Sequence, residues 1–122
     1  MATLVVVEDE KILQKAMSIE LLSVGHKVLT ANNGEAGLKL IQEEKPDLVL
    51  LDLIMPKMGG FDVLKALKSD EKTKRIPVII LSNLSQDEDK KKALDLGAVD
   101  YYVKSSTDLS EMTKKIAAVL KV

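Results

Sequence analysis

Five short apolar runs alternate with longer stretches of helical spacing in this chain, and the alternation narrows the possible folds more than any single motif. The runs are rich in leucine and β-branched residues, which is typical of strands buried on both faces of a sheet. The connections are too long for hairpins, so parallel strands joined by crossover helices are expected. The predicted strands are Thr3 to Val7, Lys27 to Thr30, Asp47 to Leu51, Pro77 to Leu81 and Asp100 to Val103.

The stretches between the runs carry the signals of amphipathic helices. Gly25 and Gly97 stand where a helix would end on a left-handed residue, and Ser85 begins a sequence with the spacing of a capping box. The polar segment from Ser69 to Arg75 is interpreted as a loop after the third helix. We therefore predict a doubly wound (βα)5 α/β fold, with helices on both faces of a five-stranded parallel sheet. The apolar face of the first helix is predicted to contain Leu13, Ala16, Met17, Leu21 and Val24.

Length and composition limit the class of protein. The 122 residues fit one domain over residues 1–122, with no output domain in this chain, either as a stand-alone protein or as part of a longer one. The chain has no cysteine, which excludes disulfides and thiolate chemistry. The net charge is -1 without a basic face, so no direct contact with nucleic acid is expected. Because no apolar run reaches the roughly 20 residues of a membrane span, we expect a cytoplasmic protein without a membrane partner.

Polar residues follow four of the five predicted strands. Glu8 and Asp9 follow strand one, Asp52 follows strand three, Ser82 follows strand four and Lys104 follows strand five. The carboxyl ends of parallel strands lie at one edge of the sheet, where open α/β folds bind their ligands. These side chains are therefore expected to form one constellation.

The acidic residues at this edge need a counter-charge if strands one and three are neighbours. Glu8 or Asp9 then comes close to Asp52, and two carboxylates about 5 Å apart repel by roughly 3 kcal/mol at an effective dielectric constant of about 20. Either one carboxyl group takes a proton or a cation lies between them. Because the site offers oxygen ligands and neither histidine nor cysteine, a hard divalent ion such as Mg²⁺ is favoured.

Lys104 and Ser82 have the groups that a phosphoryl ligand would still need. An ammonium is a compact charge for one phosphate oxygen, and a serine hydroxyl can donate a hydrogen bond to another. A carboxylate between these groups and a metal, such as Asp52, can act as a nucleophile and form an aspartyl phosphate. Catalysis would then consist of positioning and charge neutralisation during in-line attack.

Each of these residues also has an ordinary structural interpretation. Asp52 can start a turn, and Ser82 can cap one. Glu8 and Asp9 can stabilise the N-terminus of the first helix, and Lys104 can be a solvated surface residue. The joint occurrence of two acids, a hydroxyl and an amine at separate strand ends favours the functional interpretation.

The segments LVVVEDE, LVLLDLIMP, VIILS and YYVK, in this order and spacing, resemble the receiver domain of two-component response regulators. The resemblance spans essentially the whole chain and implies a flavodoxin-like strand order 2-1-3-4-5. It implies a phosphorylation-activated signalling switch rather than an enzyme with a separate turnover substrate. Asp52 would accept a phosphoryl group from a phosphohistidine of a sensor histidine kinase or a histidine phosphotransfer protein. The output partner would be a downstream protein target or an effector domain.

The same resemblance implies the ligands of a bound Mg²⁺ or Mn²⁺ ion. Asp9 and Asp52 would bind the metal directly, and Glu8 would bind it through water. The backbone carbonyl of Ile54 would be a further ligand.

The resemblance also implies how phosphorylation changes the protein. Ser82 and Lys104 would contact phosphoryl oxygens, and Ser82 would move toward the phosphate. Tyr101 would turn inward and alter the surface formed by helix four, strand five and helix five, through contacts that only the phosphorylated form makes. Ordinary half-buried strand packing is the alternative interpretation of Tyr101.

The sequence departs from the receiver pattern at several positions. Glu8 stands where aspartate is also common, which lengthens the reach to the metal, and Ser82 stands where many relatives have threonine. Lys104 is followed by Ser105 where the family usually has a cis proline, and a cis bond before serine costs about 3 kcal/mol. Ile54 and Leu84, two residues after Asp52 and Ser82, are apolar and bulky. We predict that they hinder the hydrolytic water and prolong the life of the phosphoryl group.

Three alternative functions differ in what the site should contain. A haloacid-dehalogenase-type phosphatase would need a second acid two residues after Asp52, where Ile54 stands. A nucleotide or flavin binder would need a first turn rich in glycine or hydroxyl groups, where Glu8 and its neighbours are anionic. A degenerate receiver that acts only as a protein-binding module is the remaining alternative.

Overall fold

Strands and helices alternate five times in the computed structural model, which describes residues 2–82, 87–104 and 108–120. The strands are β1 (Thr3–Val7), β2 (Lys27–Ala31), β3 (Leu48–Asp52), β4 (Val78–Ser82) and β5 (Asp100–Val103). The helices are α1 (Lys11–Ser23), α2 (Gly34–Glu44), α3 (Gly60–Ser69), α4 (Asp87–Asp95) and α5 (Leu109–Leu120). The predicted (βα)5 pattern is confirmed, while the capping box at Ser85 lies outside the described residues.

The five strands form one parallel sheet in the order β2-β1-β3-β4-β5. This confirms the predicted doubly wound, flavodoxin-like fold. The chain order reverses between β1 and β3, which are neighbours in the sheet. The crevice at such a reversal is the usual ligand site of an open α/β sheet.

Three strands differ by one residue from the predicted ones: β2 ends one residue later, and β3 and β4 both begin and end one residue later. The later ends of β3 and β4 place functional side chains inside the sheet. The parallel ladder continues as far as Asp52, which pairs with Leu81, and as far as Ser82, which pairs with Val103. Asp52 and Ser82 are therefore the last residues of β3 and β4. Val24 was predicted on the apolar face of α1, but it lies just beyond the helix and is 54% exposed.

Alternate residues of the central strands enter two separate apolar layers. Val5 and Val7 of β1 face the layer that contains buried residues of α2, α3 and α4. Leu4 and Val6 face the opposite layer, which contains buried residues of α1 and α5. Burial on both sides explains why the strands are nearly continuous apolar runs.

Two glycines end helical segments as the sequence predicts. Gly25 after α1 has a φ of 96°, and Gly97 after α4 has a φ of 106°. These left-handed conformations are unfavourable for residues with a Cβ atom. The predicted loop from Ser69 to Arg75 is confirmed from Asp70 to Arg75, which forms turns between α3 and β4, whereas Ser69 is the last residue of α3. Within the part of the chain that the structure describes, no helix combines the length and apolar character needed to cross a membrane.

Candidate functional site

A pocket of about 500 Å³ opens at the carboxyl edge of the sheet, where β1 and β3 end side by side. Its walls come from the ends of β1, β3, β4 and β5 and from the segment that follows β3. The predicted strand-end residues thus meet at one place. The lining residues are Glu8, Asp9, Glu10, Asp52, Ile54, Ser82 and Lys104.

Three carboxylates form the acidic side of this pocket. Glu8, Asp9 and Asp52 each offer an oxygen atom, and these oxygens all lie within 4.8 Å of one another. Glu8 and Asp52 are only 1% and 4% exposed, whereas Asp9 is open to solvent. An all-oxygen cluster of this size suits a hard divalent cation, which takes carboxylate oxygens and water.

The ammonium group of Lys104 closes the site on the side of β5. Its Nζ atom lies 2.5 Å from Oε1 of Glu8 and 3.2 Å from Oδ2 of Asp52. Burial alone would lower the pKa of Lys104, but the hydrogen bond to Glu8 and the two negative charges outweigh it and raise the pKa. The lysine therefore stays charged and partly neutralises the carboxylates.

One positive charge does not neutralise the acidic cluster. Burial, followed by the charge of Glu8, raises the pKa of Asp52 from 3.8 to about 7, although Lys104 acts in the opposite direction. Without a further cation, Asp52 therefore keeps its proton at pH values well above the usual pKa of an aspartate. The donor set and this excess negative charge both fit a divalent metal ion.

Backbone and side-chain hydrogen bonds hold Glu8 in place. Its N–H group donates to the carbonyl oxygen of Ala31 at 3.0 Å, and its Oε2 atom accepts from the N–H of Glu10 at 3.1 Å. Its carbonyl oxygen accepts from Nε2 of Gln14 at 2.9 Å. Gln14 was not predictable as part of the site, because one glutamine on a helix gives no signal by itself.

Ser82 and Tyr101 lie together beside the acidic cluster. Both side chains are buried, and a hydrogen bond joins them across β4 and β5. Burial raises the pKa of the Tyr101 hydroxyl. The hydrogen bond to Ser82 lowers this pKa, and the nearby charges of Asp89 and Asp52 raise it further. In this structure Tyr101 is therefore in an inward position.

The segment after β3 brings Ile54 to the mouth of the pocket. The N–H of Ile54 makes a long contact of 3.4 Å with Oδ1 of Asp52, and its side chain is 63% exposed. Gly60 packs against the same segment so closely that an added Cβ atom would lie 2.2 Å from the carbonyl oxygen of Asp52. The predicted neighbour Leu84 and the bond between Lys104 and Ser105 lie outside the described residues.

The fold and the site define the class of protein: a doubly wound α/β protein with an acidic, lysine-closed pocket at the carboxyl edge of its sheet. A family model described as the response regulator receiver domain matches residues 4–117. The chain belongs to this family, which confirms the predicted resemblance to receiver domains of two-component systems.

Relatives and solved structures support the assignment along almost the whole chain. Protein PilH of Pseudomonas aeruginosa is 39% identical over 120 residues, which is 98% of each chain. Transcriptional regulatory protein AfsQ1 of Streptomyces coelicolor is 38% identical over 104 residues, which is 85% of this chain and 45% of AfsQ1. The Mn²⁺-bound form of the response regulator Rcp1 has a TM-score of 0.85 at 29% identity, covering 97% of this chain and 93% of that one.

These similarities place the chain among signalling domains rather than metabolic enzymes. The chain spans about half the length of the transcription regulators that it matches. Receiver domains interact with histidine kinases, in agreement with the predicted class of partner. The alternative of a degenerate receiver gains no support from the relatives.

Proposed function

We propose that this chain is a phosphorylation-activated switch in which Asp52 accepts a phosphoryl group from a phosphohistidine. An oxygen of the Asp52 carboxylate attacks the phosphorus, the new O–P bond forms, and the N–P bond breaks. The histidine nitrogen leaves with the electron pair of that bond. The donor would be a sensor histidine kinase or a histidine phosphotransfer protein, as the family suggests.

The observation that carries this proposal is the position of Lys104 over Asp52. The 3.2 Å contact between Nζ and Oδ2 places a cation beside the oxygens of the proposed acceptor. The same ammonium can bind an oxygen of the arriving phosphoryl group and offset its negative charge. Ser82, which also lines the pocket, would donate its hydroxyl to another phosphoryl oxygen.

The acidic cluster would hold Mg²⁺ or Mn²⁺. Asp9 and Asp52 are the proposed direct ligands, with Glu8 acting through water and the carbonyl of Ile54 as a further ligand. The family resemblance supports these roles, and the Mn²⁺-bound form of Rcp1 supports the choice of ion. When bound, the ion would offset negative charge on the phosphoryl oxygens.

The carboxylate of Glu8 is buried and already paired. The contact of 2.5 Å with Lys104 and the hydrogen bond from the N–H of Glu10 occupy both of its oxygens. Such a carboxylate is better suited to orienting a metal-bound water than to replacing one. The burial and pairing therefore support the water-mediated role that we propose for Glu8.

Phosphorylation would change the surface of α4, β5 and α5 through movements of Ser82 and Tyr101. Phosphorylation would draw the Ser82 hydroxyl toward the phosphate and away from its hydrogen bond with Tyr101. Contacts that only the phosphorylated form can make would then bias Tyr101 toward the inward position. A downstream protein or an effector domain would bind the altered surface.

The absence of direct nucleic-acid contacts and the cytoplasmic location stay predictions.

Intact-mass measurement tests the proposal. The protein is incubated with MgCl₂ and a small phosphodonor, acetyl phosphate or phosphoramidate, beside the Asp52→Asn variant. We expect one added phosphoryl mass on the wild-type protein and none on the variant. No mass addition to the wild-type chain would favour a degenerate receiver, and rapid turnover of unrelated phosphate esters would favour a phosphatase.

A further inference from the structure

Gln14 in α1 makes two contacts that neither the family assignment nor the proposed function uses. Its Nε2 atom donates to the carbonyl oxygen of Glu8 at 2.9 Å and to that of Ala31 at 3.0 Å. Because carbonyl oxygens only accept hydrogen bonds, the nitrogen end of the amide must face them. Both amide hydrogens are therefore committed to the ends of β1 and β2.

The carbonyl of Glu8 belongs to the peptide unit that connects Glu8 to Asp9. The N–H, Oε1 and Oε2 of Glu8 are held by Ala31, Lys104 and Glu10, respectively. The bond from Gln14 fixes the remaining polar group and so sets the plane of the peptide that leads into Asp9. Asp9 is exposed, so the direction of its carboxylate depends on this backbone.

We infer that Gln14 is a positioning residue for the metal: its amide orients the Glu8–Asp9 peptide so that the Asp9 carboxylate points into the cation site. The inference rests on the proposed metal site and adds a residue outside the pocket lining. Residues that orient metal ligands by hydrogen bonding typically change metal affinity about 10-fold to 100-fold when removed. The loss on removing Gln14 is expected at the lower end, about 10-fold, because Asp52 does not depend on it.

Two substitutions separate positioning from electrostatics. Gln14→Met removes both donors at similar length, and Gln14→Glu also removes them but adds a negative charge. A negative charge near the site would by itself strengthen cation binding. Matched controls are Gln42→Met and Gln42→Glu, since Gln42 is an exposed glutamine on α2. Affinity for Mg²⁺ is measured from backbone amide shifts in an NMR titration with MgCl₂, and thermal melting without metal reports on the fold.

We expect both Gln14 variants to bind Mg²⁺ about 10-fold more weakly than the wild-type protein, and both Gln42 variants to bind within about twofold of it. Wild-type affinity in either Gln14 variant, or tighter binding by Gln14→Glu, would overturn the inference. If the wild-type protein itself does not bind Mg²⁺, the proposed metal site fails instead, so the two failures are distinguishable.

A measurement on the wild-type protein covers the case in which a Gln14 variant does not fold. The two side-chain NH₂ protons of Gln14 should exchange with solvent several times more slowly than those of Gln42, because both protons of Gln14 are hydrogen-bonded. Their shifts should also respond to MgCl₂ together with the Asp9 amide. Exchange as fast as that of Gln42, with no response to MgCl₂, would contradict the inference.

Discussion

Lys104 makes its closest ion pair with Glu8, at 2.5 Å between Nζ and Oε1. This contact is shorter than the 3.2 Å contact with Asp52, although Asp52 is the proposed phosphoacceptor. In the absence of metal, the lysine is thus shared between the two buried acids. A bound cation and the lysine would both be attracted to the same carboxylates while repelling each other.

Replacing Lys104 should therefore have opposite effects on metal binding and on phosphorylation. In Lys104→Met we expect Mg²⁺ affinity to rise by about threefold or more, because a competing positive charge is gone. Phosphorylation by acetyl phosphate should slow about 100-fold, because a cation beside the phosphoryl oxygens is lost. An NMR titration and a mass time course measure the two effects, with Lys15→Met on the exposed face of α1 as the control. Weaker Mg²⁺ binding in Lys104→Met would contradict this account.

The raised pKa of Asp52 predicts a pH dependence of stability in metal-free buffer. Between pH 3.8 and about pH 7 the native state keeps a proton on Asp52 that the unfolded chain has lost. The free energy of unfolding should therefore fall as the pH rises through this window. The part of this window above about pH 5 is about two pH units, which correspond to about 3 kcal/mol. We expect about 1 kcal/mol, because the pocket is open to solvent.

Urea unfolding in EDTA, near pH 5 and near pH 8, checks this expectation. The wild-type protein should lose about 1 kcal/mol more than Asp52→Asn between the two conditions, since the variant lacks the titrating group. Parallel pH profiles for the two proteins would show that Asp52 does not titrate as described.

Gly60 and Gly59 form a matched pair for testing how tightly the segment after β3 packs. A Cβ atom on Gly60 would lie 2.2 Å from the carbonyl oxygen of Asp52, whereas on Gly59 the nearest atom would be 3.6 Å away. Gly60→Ala should lower the free energy of unfolding by about 3 kcal/mol, because the backbone of Asp52 must move. Gly59→Ala should cost less than about 1 kcal/mol, mainly as a poorer N-cap of α3. Equal losses in urea unfolding would mean that the close packing carries no energetic weight.

The fold was predictable because its signals are local and repeated. Apolar runs and helical spacing mark the elements, and parallel pairing then brings Asp52, Ser82 and Lys104 to one edge. Contacts between distant segments left no comparable signal. Gln14 bonds to the ends of two strands, and a side chain at Gly60 would collide with the backbone of Asp52 and Leu53. Such constraints depend on tertiary approach, which spacing along the chain does not encode.

Ile54 allows a test of the lifetime of the phosphoryl group. Its side chain is 63% exposed at the mouth of the pocket, where it can obstruct a water molecule approaching the phosphorus. Ile54→Asn should speed dephosphorylation by about 10-fold, because an amide can instead orient that water. Loss of the added mass over time, after removal of the phosphodonor, measures the rate. An unchanged rate would count against the shielding role.

Mapping the phosphorylated residue tests directly whether the Asp52 side chain accepts the phosphoryl group. The protein is treated with phosphoramidate and MgCl₂, the acyl phosphate is reduced with borohydride, and peptides are sequenced by mass spectrometry. Reduction converts a phosphorylated aspartate to homoserine, so we predict homoserine at position 52 alone and none when EDTA replaces MgCl₂. Homoserine at another aspartate, or equal labelling of Asp52 in EDTA, would contradict a metal-dependent switch centred on Asp52.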